Sequence, residues 1–448
     1  MTNIKVDFMN RTGFIRALHG MNNCDRGALW GDLSEEFKAL EIPIVRLHDT
    51  GGAYGGSHYV DIPNVFPNFD ADPDDPASYD FTLTDYYLKY LVATGCEVMY
   101  RLGVTIEHAP KKYHIYPPAD FHKWADICEH VVRHYNEGWA DGFHFGIKYW
   151  EIWNEPDGID PHITPFGPPM WLGTAEQYYE MYSITANHLK SKHPDIRVGG
   201  YSSCRVRGTF RDGKWMDGIT DYAEAFFKYI TAPETRAPLD FFTWHTYLGH
   251  DFYRLIEEAR FARDILDRYG FTETENFNTE WNHYLSTDKL ERMKLMSTER
   301  GASHYVATMC EMQKSGLVDK AMFYSAQTGS GYNPLFTFPG HEKTKSYHAF
   351  RLFGEIYKLH NECAVLCDNP TLYSIASVGE EYCGLIISNP EPYSQQANIT
   401  ALGVANGEIE LSLVDAEHNG DAERIEAEAL SNMLLPPHSV ILVRIKKG

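Results

Sequence analysis

The 448-residue chain lacks any apolar run approaching the ~20 residues that a membrane helix needs, so its sequence predicts no membrane span. Its first ten residues, MTNIKVDFMN, have neither a basic segment nor an apolar core, and no secretory leader is expected. Basic residues are also scarce, with 40 against 62 acidic ones and a net charge of −22. Because nucleic acids and anionic membranes are polyanions, this charge argues against both as partners.

Motifs for several common chemistries are absent as well. No GxGxxG follows the first predicted strand, and neither GxxxxGK[ST] nor GxSxG occurs. The 21 histidines form no HxH or HExxH. Asp70, Asp72 and Asp74 have the spacing of a calcium loop, but Asp75 replaces its glycine and Phe81 its bidentate glutamate. The sequence therefore predicts no cofactor and no metal, and a solvated acidic loop at 70–75.

Cysteine usage gives no sign of a disulfide framework. Of the eight cysteines only Cys363 and Cys367 lie close together, and their spacing is neither a redox CxxC nor a zinc pair. In a long chain without a leader, free buried thiols are the expected state. The predicted location is therefore cytoplasmic.

What the chain does have is an alternation of short apolar runs with amphipathic helical stretches. Runs buried on both faces are typical of parallel strands, and eight such units predict a (β/α)8 TIM barrel over residues 13–358. The alternative, a doubly wound open sheet, would need the missing glycine fingerprint. The eight predicted strands are 13–22, 42–50, 97–103, 149–156, 196–203, 241–247, 276–282 and 319–326.

Two of the intervening helices show clear sequence signals. Thr174 and Gln177 have the spacing of a capping box, which predicts a helix start. A second helix, within 251–269, is predicted to end at Gly270. Its apolar stripe is Leu255, Ala259, Ala262 and Leu266.

After about residue 360 the pattern changes to alternating apolar and polar residues, as in LYSIASV and HSVILVRIKK. This alternation predicts a C-terminal antiparallel β-sandwich domain over 359–448. Residues 1–12 include the strand-like IKVDF and are predicted to join that sheet.

Polar side chains cluster where the predicted barrel strands end. In a (β/α)8 barrel these ends form one face, and that face carries the chemistry. One cleft fed by many strands is therefore expected. The polar or aromatic residues at these ends are His19, Asn22, Arg46, His48, Asp49, Asn154, Glu155, His245, Tyr247, Glu280, Trp281 and Tyr324.

Two carboxylates stand out, Glu155 in YWEIWNEPDG and Glu280 in NFNTEWN. A carboxylate at the end of a buried strand is costly to ionise unless something pairs with it or uses it. Glycosidic bond cleavage uses such a pair, one as acid and one ionised. The structural alternative is pairing of Glu155 with Arg46 or Arg101. For Glu280 the competitors are Glu273 and Glu275, which precede the apolar run.

Aromatic side chains could offer flat faces to a sugar, and Trp281, Tyr247 and Phe336 are the candidates that we assign to substrate. Asp49 and Tyr324 are further candidates, because they lie at the ends of predicted barrel strands. Trp150 and Trp153 are expected to pack in the core. Arg46 is expected to brace a carboxylate from inside the barrel.

The quoted motifs carry a family resemblance. WNEPD at 153–157 resembles the acid/base signature of clan A glycoside hydrolases, and NTEWN at 278–282 stands where that clan has its nucleophile. Together with HGMN, RLHDT, YDFTLTD, VGG and WHTY, these motifs make the chain similar to glycoside hydrolase family 39, which includes β-xylosidases and α-L-iduronidases.

This resemblance implies a retaining exo-acting glycosidase with Glu155 as general acid/base and Glu280 as nucleophile. It further implies that His48, Asn154, His245 and Tyr247 contact the sugar. The partner is then an oligosaccharide or glycoside, and a homo-oligomer stays open.

The chain departs from the family in its long loop at 51–75, which should overhang the cleft and puts xylose specificity in doubt. Xylose, arabinose, galactose and a uronic acid remain open, with Arg205 and Arg207 as candidates for binding a uronate. Two other functions remain as alternatives. One is a non-catalytic carbohydrate-binding protein on a decayed barrel, and the other is a metal-dependent barrel hydrolase.

Overall fold

The computed structural model describes residues 1–24, 32–50, 58–105, 112–158, 170–206, 209–211, 214–216, 218–249, 251–404 and 407–447. For residues 209–211, 214–216 and 218–220 only the backbone is described. In this part of the chain the strands are β1 (Thr2–Phe14), β2 (Ala17–Asn22), β3 (Ile44–Leu47), β4 (Glu97–Leu102), β5 (Tyr149–Ile152), β6 (Arg197–Ser203), β7 (Thr209–Arg211), β8 (Lys214–Met216), β9 (Phe241–Leu248), β10 (Glu275–His283), β11 (Lys320–Phe323), β12 (Asn361–Cys367), β13 (Tyr373–Val378), β14 (Tyr382–Asn389), β15 (Gln395–Leu402), β16 (Ile409–Val414), β17 (Asn419–Ile425), β18 (Met433–Leu435) and β19 (Ser439–Lys446).

The helices of the described residues alternate with these strands. They are α1 (Ser34–Ala39), α2 (Ile62–Val65), α3 (Thr82–Ala93), α4 (Phe121–Asn136), α5 (Ala175–Lys192), α6 (Gly218–Thr231), α7 (Tyr253–Arg268), α8 (Lys289–Met296), α9 (Glu299–Ser315) and α10 (Lys345–Lys358). None of the helices in these ranges combines the length and apolar character that a bilayer span requires.

Eight parallel strands close into a barrel in the order β10-β11-β2-β3-β4-β5-β6-β9. Each predicted strand overlaps one of them, so the predicted (β/α)8 TIM barrel is confirmed. Closure occurs where β11 pairs with β2, with Met322 opposite Gly20. A Cβ on Gly20 would lie 2.8 Å from the backbone oxygen of Ala321, so only glycine allows this approach.

The inside of the barrel is filled by an apolar layer from six strands. Above this layer the interior turns polar at Arg46 and Glu151, both fully buried. The apolar floor thus seals the barrel and leaves the carboxyl ends of the strands for polar groups. The floor residues are Ile44, Met99, Tyr149, Phe241, Phe277 and Met322.

The two helices read from sequence form as predicted. Thr174 and Gln177 make both hydrogen bonds of a capping box at the start of α5. In α7 the predicted apolar stripe is buried, and the helix ends just before Gly270, whose φ is +84°.

The second unit is a nine-stranded sheet in the order β17-β16-β19-β14-β13-β12-β1-β15-β18. Its pairings are antiparallel except that β1 runs parallel to β15. The sheet curls until β18, at one edge, contacts β19 near the other, and encloses its own core. This arrangement agrees with the predicted sandwich. The domain limits at 13, 358 and 359 stay predictions; β1 reaches Phe14 and β12 begins at Asn361.

The sheet packs against α9 and α10 of the barrel. Ser388 Oγ in β14 donates to the Ser303 backbone oxygen in α9 at 2.7 Å. Glu355 in α10 accepts from Arg351 at 2.7 Å and from Arg444 of β19 at 2.9 Å. Helices of the barrel wall therefore serve both units.

Candidate active site

Two carboxylates far apart in sequence meet at the carboxyl end of the barrel. Glu155 follows β5, and Glu280 lies in β10, 125 residues later. One oxygen of each and a ring nitrogen of His245 all lie within 4.8 Å of one another. Glu280 is nearly buried, and the Glu155 side chain is 16% exposed. The geometry thus gives one enclosed and one accessible carboxylate facing each other.

Arg46, at the end of β3, is the hub beneath this pair. It is fully buried, and all five of its N–H groups donate hydrogen bonds. Burial opposes its charge, but Glu151 and Glu280 outweigh burial and raise the pKa of Arg46. A permanently charged guanidinium therefore braces the site. Its acceptors are Glu151 Oε2 at 2.6 Å, Asn22 Oδ1 at 3.0 Å, Glu280 Oε1 at 2.9 Å, Asn154 Oδ1 at 2.8 Å and Ser202 Oγ at 2.8 Å.

Glu280 is held by two donors, one on each oxygen. Arg46 Nη1 donates to Oε1 at 2.9 Å, and the Tyr247 hydroxyl donates to Oε2 at 2.7 Å. Burial raises the pKa of Glu280, and neighbouring Glu155 adds to this rise, while His245, Arg46 and Tyr247 counteract it. The two donors fix the carboxylate in place and favour its ionised form.

His245, in β9, lies between the two glutamates. Its Nδ1 is 2.7 Å from Glu155 Oε1, and its Nε2 is 2.7 Å from Ser202 Oγ. The ring is fully buried, and burial lowers the pKa of His245 to about 4. At neutral pH the imidazole is therefore uncharged and carries a single N–H.

A third carboxylate, Asp49, forms the flank of the site next to β3. The Tyr324 hydroxyl donates a short hydrogen bond to Asp49 Oδ2. His48 Nε2 lies 3.3 Å from Asp49 Oδ1 and 3.5 Å from Glu280 Oε1. The predicted residues His48, Asp49 and Tyr324 therefore lie on one side of Glu280.

The backbone around the pair has an unusual conformation. Asp49, Trp153, Glu155 and Ser202 have φ values of 59°, 71°, 48° and 59°, which non-glycine residues rarely adopt. Glu155 N–H donates to the Ser202 backbone oxygen at 2.9 Å and thereby ties the loop after β5 to β6. Such conformations persist only where the surroundings fix them, and they concentrate at functional sites.

Residues 57–258 match the model of glycosyl hydrolases family 39. A β-xylosidase of Geobacillus stearothermophilus is 31% identical over 139 residues, 30% of this chain and 22% of that protein. The chain is a relative of the family 39 glycosyl hydrolases. The match includes Glu155 and His245 and stops before Glu280, so the place of Glu280 rests on the geometry.

A second β-xylosidase and two solved structures are also similar to this chain. A β-xylosidase of Caldicellulosiruptor saccharolyticus is 23% identical over 180 residues, 38% of this chain and 31% of that protein. The matched stretch thus spans a third or less of either β-xylosidase. Among solved structures, a glucosidase from Croceicoccus marinus superposes with a TM-score of 0.77 at 22% identity, covering 100% of this chain and 99% of that one. A monomeric β-xylosidase from Caulobacter crescentus CB15 gives 0.71 at 16% identity, with both chains fully covered. At these identities the two structures establish the fold.

Two residues of this chain that were predicted to contact the sugar, Trp281 and Phe336, lie away from the glutamate pair. Trp281 is fully buried, with its ring against Tyr305 of α9 and Phe323 of β11. Successive strand residues point to opposite faces, so Trp281 faces outward because Glu280 faces the barrel interior. Phe336 packs against Phe37 and Tyr347, in the helical layer. Neither ring reaches the glutamate pair, which corrects both predictions.

The structural alternatives for Glu155 and Glu280 find no support in the described contacts. Arg46 pairs with Glu151 and Glu280, while Arg101 pairs with Asp61 at 2.7 Å. Glu275 sits at the opposite end of β10, where Arg197 pairs with it at 2.9 Å.

The structure describes part of the long loop at 51–75 and one of the two arginines, Arg205 and Arg207, that were proposed to bind a uronate. Asp61, in that loop, also accepts from the Thr105 N–H at 2.7 Å, which fastens the loop to the segment after β4. Residues 51–57 and Arg207 lie outside the described residues. Arg205 is half-buried in the segment after β6.

Several residues of the network escaped sequence reasoning. Glu151 and Ser202 bind Arg46, and Asp157 accepts from the Cys204 N–H at 3.0 Å and from the Ser203 hydroxyl. Burial raises the pKa of Asp157 to about 7. Glu151, Ser202 and Ser203 lie within the predicted strands 149–156 and 196–203, but a serine at a strand end gives no signal of its own.

Glu155, His245 and Glu280 also form the one cluster in the described ranges whose atoms could surround a metal ion. Arg46 already donates to the Glu280 oxygen, and its positive charge opposes a cation there. The donor set therefore suits a hydrogen-bonded acid and base better than a metal. All eight cysteines are free, as predicted.

Proposed function

We propose that this chain is a retaining exo-acting glycoside hydrolase that works by double displacement. The observation that carries the proposal is the approach of the Glu155 and Glu280 oxygens to within 4.8 Å. Retaining enzymes place their carboxyl groups about 5–5.5 Å apart, whereas inverting enzymes need about 6.5–9.5 Å to admit water. The relationship to glycosyl hydrolases of family 39 supports the same reaction.

In the first step Glu280 attacks the anomeric carbon and forms a covalent ester. The bond from that carbon to the leaving oxygen breaks, and Glu155 gives its proton to this oxygen. Arg46 and Tyr247 hold Glu280 in position, so its lone pair is aimed before the substrate arrives.

In the second step Glu155, now a carboxylate, takes a proton from water. The resulting hydroxide attacks the same carbon from the side of the departed group and releases Glu280. The sugar leaves with its anomeric configuration retained. Glu155 suits this exchange with solvent because it is the more exposed of the two.

We propose a neutral glycone, with a β-xyloside as the first candidate. All five donors of Arg46 are in use, so this guanidinium has none to offer a substrate carboxylate. Asp49 adds negative charge, which disfavours a uronate. Asn154 Nδ2 is buried with no acceptor among the described residues, and it suits a sugar hydroxyl. The β-xylosidase names of the relatives support the exo mode and the pentose.

The proposal is tested with a panel of nitrophenyl glycosides and two substitutions. Glu280→Ala should abolish turnover, and Glu155→Ala should spare only substrates with activated leaving groups. Glu275→Gln, on the same strand but paired with Arg197 at its far end, is the control and should keep its activity. Near wild-type turnover by Glu280→Ala would refute the assignment.

Covalent trapping separates the alternatives. A 2-fluoro xyloside with an activated leaving group should label Glu280, as read by peptide mass spectrometry. A carbohydrate-binding protein on a decayed barrel would bind sugar but remain unlabelled. A metal-dependent hydrolase would lose its activity on treatment with a chelator.

The cellular setting is also a proposal. The eight free thiols support a cytoplasmic location, and the net charge of −22 supports a glycoside as partner over nucleic acid or membrane. A homo-oligomer is tested by light scattering.

A further inference from the structure

Ser202, the penultimate residue of β6, is the buried residue that connects Glu155 to the Arg46 network. It is fully buried, and its N–H donates to Thr243 Oγ1 at 2.7 Å. Its backbone oxygen accepts from Glu155 N–H, and its hydroxyl contacts the His245 ring that binds Glu155. The backbone of Ser202 thus binds Glu155 directly, and its side chain contacts Glu155 through His245.

The protons around the Ser202 hydroxyl can be counted. Arg46 Nη2 donates to Ser202 Oγ and to Asn154 Oδ1, both at 2.8 Å, because a guanidinium has no acceptor. The hydroxyl therefore has one proton to place. The two acceptors within reach are His245 Nε2 at 2.7 Å and Asn154 Oδ1 at 3.0 Å. Asn154 Oδ1 already receives an Arg46 proton, so the shorter contact to His245 is favoured.

The hydrogen bond that Ser202 donates to Nε2 determines the protonation of Nδ1, the other nitrogen of the His245 ring. A neutral imidazole carries one proton, so an Nε2 that accepts from Ser202 leaves that proton on Nδ1. Nδ1–H then donates to Glu155 Oε1 at 2.7 Å. With the opposite tautomer a bare Nδ1 would face Oε1, which is tolerable only if Oε1 holds the acid proton and points it at the ring.

We propose that Ser202 is a positioning residue that fixes the Nδ1–H tautomer of His245 and so reserves Oε2 of Glu155 for the catalytic proton. The proton leaves Oε2 for the leaving oxygen in the first step. Oε2 takes a proton from water in the second step, while Oε1 keeps the same donor throughout. This inference rests on the proposed glycosidase reaction and assigns one oxygen of its acid/base.

Leaving-group dependence of Ser202→Ala tests the proposal. Without its fixed tautomer Glu155 is a poorer acid, so kcat/KM should fall about 10- to 100-fold for a methyl glycoside, less than the loss of about 10²–10⁴ expected when a general acid is removed altogether. For a dinitrophenyl glycoside, whose leaving group needs no proton, kcat/KM should change less than about threefold. Glu155→Gln should show the same pattern at larger amplitude.

The control is Ser388→Ala, which removes a buried hydroxyl of β14 outside the barrel and should alter neither rate. An equal fall of Ser202→Ala on both substrates would mean that Ser202 acts through Arg46 and Glu280, and would overturn the proposal. Unchanged rates on both would overturn it as well. A wild-type chain that cleaves neither substrate would instead overturn the proposed function.

A direct observation needs no variant. Nitrogen-15 NMR of the histidine rings distinguishes the two neutral tautomers of wild-type His245, identified by its loss in His245→Gln. The expected result is a proton on Nδ1 at neutral pH. A proton on Nε2 would overturn the proposal even if Ser202→Ala did not fold.

Discussion

Glu280 shows how single residues set the chemistry of this site. It is enclosed and close to Glu155, two conditions that raise its pKa, yet a nucleophile must be ionised. Arg46 and Tyr247 resolve this conflict by donating to opposite oxygens. Removing Arg46 would also leave Glu151 unpaired in the barrel interior, so Tyr247 is the cleaner point of intervention.

We expect Tyr247→Phe to move the acidic limb of kcat/KM to higher pH. The Tyr247 hydroxyl favours the ionised form of Glu280, so its loss raises the pKa of Glu280 further. At a given acidic pH a larger fraction of the enzyme then carries a protonated, inactive Glu280. At neutral pH kcat/KM should fall about 10-fold or more, because a hydrogen bond to a charged group contributes about 1.5–3 kcal/mol. The measurement is the pH profile with an aryl glycoside.

Tyr284→Phe is the matched control for that profile. Tyr284 stacks on the Tyr247 ring with centroids 5.2 Å apart, and no hydrogen bond joins it to Glu280. Its profile should coincide with that of the wild type. An acidic limb of Tyr247→Phe that stayed in place or moved to lower pH would show that the hydroxyl does not stabilise the Glu280 carboxylate.

At the scale of elements, the loop after β5 carries a second unusual carboxyl group. Asp157 is buried, and its oxygens accept from Cys204 N–H and the Ser203 hydroxyl at the end of β6. Burial raises the pKa of Asp157 from 3.8 to about 7. The folded state thus binds this proton more tightly than the unfolded chain. The stability that results is fully present below pH 4 and is lost as pH rises through about 7.

Asp157→Asn should flatten this part of the stability profile. Asparagine stays neutral and can still accept from Cys204 N–H. The free energy of unfolding of the variant should therefore rise relative to that of the wild type as pH increases from 4 to 8. The gain is at most about 4 kcal/mol, since each pKa unit corresponds to about 1.4 kcal/mol. Urea unfolding across this pH range measures it, with exposed Asp141→Asn as control. Parallel profiles for Asp157→Asn and the wild type would contradict the linkage.

Elements were predictable from sequence to the extent that burial patterns reveal them. The barrel strands are apolar on both faces, and the Thr174 capping box is a local signal, so both were found. Trp281 directly follows Glu280, and strand alternation turns consecutive side chains to opposite faces, so an aromatic residue at a strand end does not by itself predict contact with the substrate. Ser202 could not be assigned, since its role depends on Arg46 and His245, which only the closed barrel brings to it.

At the scale of the whole molecule, the two ends of the chain share one sheet. β1 pairs with β12 and β15, and β19 lies between β14 and β16. Ile4 and Val6 of β1 are fully buried in the core of this sheet. Because α9 and α10 contact both the sheet and the barrel, destabilising the sheet should also destabilise the barrel.

Ile4→Ala should therefore destabilise the protein by about 2–5 kcal/mol, the usual cost of truncating a buried isoleucine. We expect a single unfolding transition at lower temperature, because the shared helices couple the two units. Calorimetry measures both the shift and the number of transitions. Met9→Ala, on the same strand but 73% exposed, should leave the curve unchanged. Two separate transitions, with the barrel unaffected, would contradict the coupling.

The central claim is that Glu155 and Glu280 form a retaining pair, and the anomer released first tests it most directly. Proton NMR during hydrolysis of an aryl β-xyloside records this anomer before mutarotation mixes the two forms. The separation of the carboxylates predicts that β-xylose appears first and α-xylose follows only by mutarotation. Initial release of α-xylose would mean a single displacement by water and would contradict the account.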